Sequence, residues 1–201
     1  MLELTKIAIC DLETLGIHED SVILDFSAII ADLSQPLNVD ALRASAFHAK
    51  LDITSQLEVN RYTDPSTVEF WSKQPLAAQQ VLIPSDDDLS LSAAVDAQIL
   101  PWLNTAVGLK LPVFQRGDRD MAWVLSMCRS AGAPAEFPFW TIRETRTAIH
   151  ALGGETASRG NVKVPKDYYD LSTLTKHSSV DDCIMDFIQL KYLIDIGNGR
   201  I

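Results

Sequence analysis

Asp11 and Glu13 stand two positions apart at the end of an apolar run, Ile7-Ala8-Ile9-Cys10-Asp11-Leu12-Glu13. On a strand, alternate side chains share a face, so both carboxylates project the same way. Like charges held that close beside apolar neighbours repel each other and lose hydration. A divalent cation between them removes the conflict, and hard oxygen ligands suit Mg²⁺ or Mn²⁺. Two further acids extend the set. Asp120 follows a second apolar run where a helix begins, and Asp182 opens the last helix, five positions after His177. Four carboxylates and one histidine suit two ions roughly 4 Å apart, an arrangement used for phosphodiester hydrolysis. One ion would lower the pKa of a water and the other would steady the leaving oxygen, with His177 taking the water's proton.

These residues need elements to bring them together. Strand patterns cover Leu4 to Leu12, Ser21 to Leu33 and Ala44 to Leu51, with Gly16 and Asp20 marking the first turn. Such an opening meander pairs antiparallel. Asp64-Pro65 predicts a helix start, with Asp64 as N-cap and Pro65 first in the helix, ahead of Trp71. Leu76 to Ile83 and Ser90 to about Val107 are also helical, and Pro101 should kink or shorten the latter. Asp86-Asp87-Asp88 between them is a solvated loop. Leu111 to Gln115 suits a central strand. Helices follow from about Arg119 to Ala131, from Ile142 to Leu152 and from about Val180 to Ile194. Glu155 to Asp170 is expected to be a mobile loop.

Composition limits what the chain can be. Its 201 residues, 47% hydrophobic and 22% charged, suit one α/β domain over residues 1–201. No apolar run is long enough for a membrane, and Met1 to Lys6 lacks the layout of a secretory signal. Cys10, Cys128 and Cys183 are far apart without metal-finger spacing, as expected of buried thiols in a reducing cytoplasm. A net charge of -10 argues against sequence-blind coating of duplex DNA. It leaves room for an enzyme that grips one chain end through cations, with Arg116, Arg119 and Lys163 as a modest guiding patch.

Asp11-Leu12-Glu13-Thr14 resembles the first motif of DEDD-type 3′–5′ exonucleases, and His177-Ser178-Ser179-Val180-Asp181-Asp182 resembles the closing His-x4-Asp of their DEDDh branch. The stretch from Asn60 to Gln74, with Arg61, Asp64, Thr67 and Trp71-Ser72-Lys73-Gln74, is similar to phage DexA-like exonucleases. Arg143-Glu144-Thr145-Arg146-Thr147 is similar to the segment before their final motif. The resemblance implies an RNase H-like (DEDD exonuclease) α/β fold, a mixed five-stranded sheet flanked by helices. It implies removal of nucleoside monophosphates from single-stranded 3′ ends, most simply of DNA in a phage-infected bacterial cytoplasm. Asp11, Glu13, Asp120 and Asp182 would hold two Mg²⁺ or Mn²⁺ ions, with His177 as general base. Thr14 and Leu15 would pack on the terminal nucleotide, and Trp71 would contact a base. Two departures stand out. Arg119 takes the place of a Phe before Asp120, leaving Asp118 as a rival ligand, and Ser179 replaces an Ala.

Ordinary explanations exist for each acid. Asp120 and Asp182 fall in first helical turns, which favour an acid without any metal. Positions five apart do not share a helical face, so His177 must precede the last helix, with Ser178 or Ser179 as its N-cap. Nothing in these motifs reads a 2′-hydroxyl, so an exoribonuclease or oligoribonuclease with the same site is the first alternative. A non-catalytic nucleic-acid or protein-binding module on the same fold is the second. Oligomeric state is left open.

Overall fold

The computed structural model describes residues 5–201. Leu4, the expected first residue of the opening strand, and the segment 1–3 lie outside the described residues. β1 (Lys6–Thr14), β2 (Ile23–Asp32) and β3 (Phe47–Lys50) form the expected antiparallel meander, with α1 (Val39–Ala44) between the last two. Then come α2 (Ile53–Leu57), α3 (Pro65–Ser72), α4 (Leu76–Gln79), α5 (Leu91–Ala94) and α6 (Leu100–Gly108). β4 (Val113–Gln115), α7 (Asp120–Ser130), β5 (Ile142–Glu144) and α8 (Thr145–Gly153) follow, then the short pair β6 (Ala157–Ser158) and β7 (Asn161–Val162), and finally α9 (Ser179–Gly197). The sheet order is β3-β2-β1-β4-β5, with β1, β4 and β5 parallel.

β1 sits at the centre, and its alternation sorts the core into two layers. Ala8, Cys10 and Leu12 face α5, α6 and α7, packing with Phe26, Trp102 and Met121. Ile7 and Ile9 face α8 and α9, packing with Ile149, Cys183, Ile184 and Phe187. A third cluster of Leu15, Val22, Leu24, Trp71 and Ala78 packs just past the C-terminal end of β1. Asp11 and Glu13 continue the parity of Ile7 and Ile9, so they emerge on the α9 side.

Three expectations need correction. Ile142 to Glu144 is a strand, not the start of a helix, because it pairs with β4; Glu144 then caps α8 by accepting from the amides of Arg146 and Thr147. Pro101 does not shorten its helix, which runs past it to Gly108. A π turn over Val95–Ile99 absorbs the missing amide donor, and α6 runs on through Pro101. The segment 155–170 holds the β6–β7 pair, tied to α9 where the amide of Val162 donates to Gln189 Oε1 at 2.9 Å. Asp86-Asp87-Asp88 is the loop expected: Asp88 caps the turn at Ser85 and pairs with Lys50.

Candidate active site

Three elements converge at the C-terminal end of β1. β1 supplies Asp11 and Glu13 on one face, and the register shift between Glu13 and Thr14 ends the regular ladder just beyond them. The 116–119 loop supplies Asp120. Buried Gln115 clamps that loop, accepting from the amide of Met121 at 2.9 Å and donating to Gly117 O at 3.1 Å, so Asp120 lies at the first position of α7. α9 supplies Asp182. Its Oδ2 accepts from the amide of His177 at 3.1 Å, and Ser178 caps the helix, so His177 lies before the helix as the spacing required. His177 takes φ 60°, the left-handed region, which turns its ring inward.

The ring arrives at 3.9 Å from Glu13, measured from Nδ1 to Oε1. Ligand atoms of Glu13, His177 and Asp182 all lie within 4.8 Å of one another, close enough to share a cation. Asp120 is buried and its Oδ2 has no hydrogen-bond partner among the described residues. An unpartnered buried carboxylate oxygen is costly, and a cation is what its chemistry seeks. Asp118 is 90% exposed and only loosely paired with Arg119, so the rival third acid points to solvent.

The acids perturb one another. Burial first, then Asp120, Glu13 and Asp182, push Asp11 well above the ordinary carboxylate range. Burial, with Asp182 next, raises Glu13 to about 9. Asp120 is pushed up to about 7 and Asp182 to about 6, in both cases chiefly by burial. These values describe carboxylates without a counter-charge, so the donor set fits divalent cations. His177 shifts the other way: partial burial and the Lys176 ammonium disfavour its charged form. A neutral imidazole is therefore present near pH 7, able to accept a proton.

A fifth acid joins the nest. Asp186, one turn beyond Asp182 on α9, is buried and adds to the repulsion on Asp11, Asp120 and Asp182. Arg116 compensates it, donating from Nε to Oδ1 at 2.8 Å. The i, i+4 spacing of Asp182 and Asp186 was the signal for it. Three expected substrate contacts look different. Trp71 is 1% exposed, donating from Nε1 to Thr14 O at 2.9 Å, and Leu15 packs against it in the core. Neither has a free face for a base or sugar, because the third core cluster consumes both. Thr14 spends its hydroxyl on Gly16 O. Phe70, 44% exposed, and the covered Trp71 both stand edge-on to His177, with ring centres 5.5 and 6.0 Å away. A cleft of about 1000 Å³ beside α6 and Trp140 holds none of the expected site residues.

The family model described as the 3′–5′ exoribonuclease Rv2179c-like domain matches residues 6–193. The chain belongs to that family. The exodeoxyribonuclease of enterobacteria phage T4 is 25% identical over 208 residues, covering 95% of this chain and 90% of that protein. The crystal structure of cell-death related nuclease 4 (CRN-4) superposes with a TM-score of 0.60 at 16% identity. That alignment covers 96% of this chain and 65% of the nuclease, so the chain spans about two thirds of its length. The likeness shows the fold: the mixed five-stranded sheet flanked by helices is RNase H-like. Family membership makes the chain a 3′–5′ exonuclease of the DexA-like, DEDD type, as its motifs implied.

Proposed function

We propose that the chain, as one catalytic domain over residues 1–201, removes nucleoside monophosphates from single-stranded 3′ ends in a reducing bacterial cytoplasm. Asp11, Glu13, Asp120 and Asp182 are the ligands of two Mg²⁺ or Mn²⁺ ions. Bound there, the cations would neutralise the acids and polarise the phosphodiester and a water. His177 does the proton work. Its neutral ring, held by the Asp182–amide bond and faced by Phe70, accepts a proton from the attacking water and passes it to solvent. The Arg116–Asp186 pair keeps the floor of the nest from carrying a further uncompensated charge. The observation that carries this reading is the meeting of Glu13, from the end of β1, with His177 and Asp182, from the start of α9, within 4.8 Å.

DNA is the first substrate, supported by the name of the T4 relative. RNA is the second, favoured by the family's description as an exoribonuclease domain. A time course with 5′-labelled single-stranded DNA and RNA, with and without Mg²⁺, tests both. Mg²⁺-dependent ladders shortening from the 3′ side are expected, and the faster polymer identifies the sugar preference. Shortening without added metal and in the presence of a chelator would overturn the metal assignment.

A further inference from the structure

His177 separates the carboxylate nest from a second cleft of about 470 Å³, within the range of roughly 300–1,000 Å³ typical of small-ligand pockets. Its walls are β3, the end of α1, α4 and the start of α9, and they carry Arg43, His48 and Lys50. We propose that this cleft binds the phosphodiester backbone of the substrate strand on the 5′ side of the scissile bond. The inference rests on the exonuclease reading above and names a subsite for it.

A strand whose scissile phosphate lies at Glu13 and Asp182 must leave the nest on its 5′ side, and His177, 3.9 Å from Glu13, also lines this cleft, so the two are contiguous. Past His177 the chemistry reverses. Arg43 engages Asp181 through Nη1 alone, and its side chain remains 46% exposed, leaving the rest of the guanidinium to the cleft. His48 is 44% exposed and faces Asp25 at 3.3 Å. That bond raises its pKa and favours the cation. Lys50 pairs with Asp88 at 3.0 Å. Asp181 and Asp88 hold Arg43 and Lys50 from outside the lining, Lys50 also donates to Ile83 O, and Asp25 lines the cleft beside His48. Phe70 at the boundary offers an aromatic ring to an unpaired base. Of the patch expected from sequence, Arg116 is committed to Asp186 and Arg119 donates to Ile17 O, and neither these nor Lys163 line this cleft.

The test compares dinucleotide and hexanucleotide substrates and measures anisotropy of a labelled hexanucleotide in Ca²⁺ across a salt series. In Arg43→Gln, kcat/KM for the hexanucleotide should fall about tenfold further than for the dinucleotide, as expected on losing a charge-assisted contact. The slope of log affinity against log salt should shrink by roughly 0.7, the share of one cation on a single strand. Arg43→Lys keeps the charge and should restore the slope. His48→Gln repeats the measurement if Arg43→Gln does not fold. Equal losses at both lengths with an unchanged slope would overturn the subsite. If the wild type hydrolyses neither oligonucleotide in Mg²⁺, the exonuclease reading fails, while the anisotropy series still decides whether the cleft holds a strand.

Discussion

Asp11 is the most crowded acid in the nest, pressed by Asp120, Glu13 and Asp182 together. Asp11→Asn removes one repelling charge without changing shape. Oligonucleotide hydrolysis should be abolished while the metal-free protein melts at a higher temperature than wild type, measured side by side by scanning fluorimetry and laddering. A variant that is inactive and also less stable would mean that the charge is satisfied by something other than a cation. His177 offers a second separation of chemistry from fold. Its φ of 60° costs a non-glycine residue of order 1–3 kcal/mol. His177→Ala should lower kcat by about 10²–10⁴-fold, and His177→Gly should be equally slow yet more stable than His177→Ala. With its pKa held down by burial and Lys176, the wild-type rate should rise with pH through a midpoint below that of free imidazole, and this limb should vanish in His177→Ala.

Elements decide where those residues stand. Glu144 ends β5, caps α8 and also accepts from the amide of Gly117 at 3.2 Å, so one side chain joins the Asp120 loop to the edge of the sheet. Glu144→Ala should cost roughly 1–2 kcal/mol in urea unfolding, the usual effect of a lost N-cap. A loss below a few tenths would show that the loop is held by Gln115 alone. Elements with strong local signals could be read directly: the Asp-x-Glu strand end, the Asp64-Pro65 cap and the helix after His177 all lie where their residues put them. What escaped depends on distant partners. Ile142 to Glu144 is too short to show a period and becomes a strand only through β4. α2 is a five-residue helix whose buried Gln56 takes up the backbone of Ile23, a service no local pattern announces. Trp71 and Leu15 have the right types to touch a nucleotide, and only packing reveals that each is covered.

At the scale of the whole molecule, a net charge of -10 and a nest of buried acids tie stability to pH and metal. Asp182, Asp120 and Glu13 titrate at about 6, 7 and 9, above their unfolded values, so the native state holds its protons more tightly. Their contribution is present below the ordinary carboxylate range and is lost as pH climbs to about 9. The metal-free melting temperature should fall across that window, and the rise on adding Mn²⁺ should grow with pH. A metal increment that is flat with pH would contradict this coupling. β1 is bonded to β2 along its length and to β4, with helices on both faces, whereas His177 rides on a short lead-in to α9. The two halves of the site therefore belong to regions of unequal resistance to local opening. Under mild denaturant the enzyme should fall silent while still capturing Mn²⁺, a resting form whose cation grip outlives its turnover.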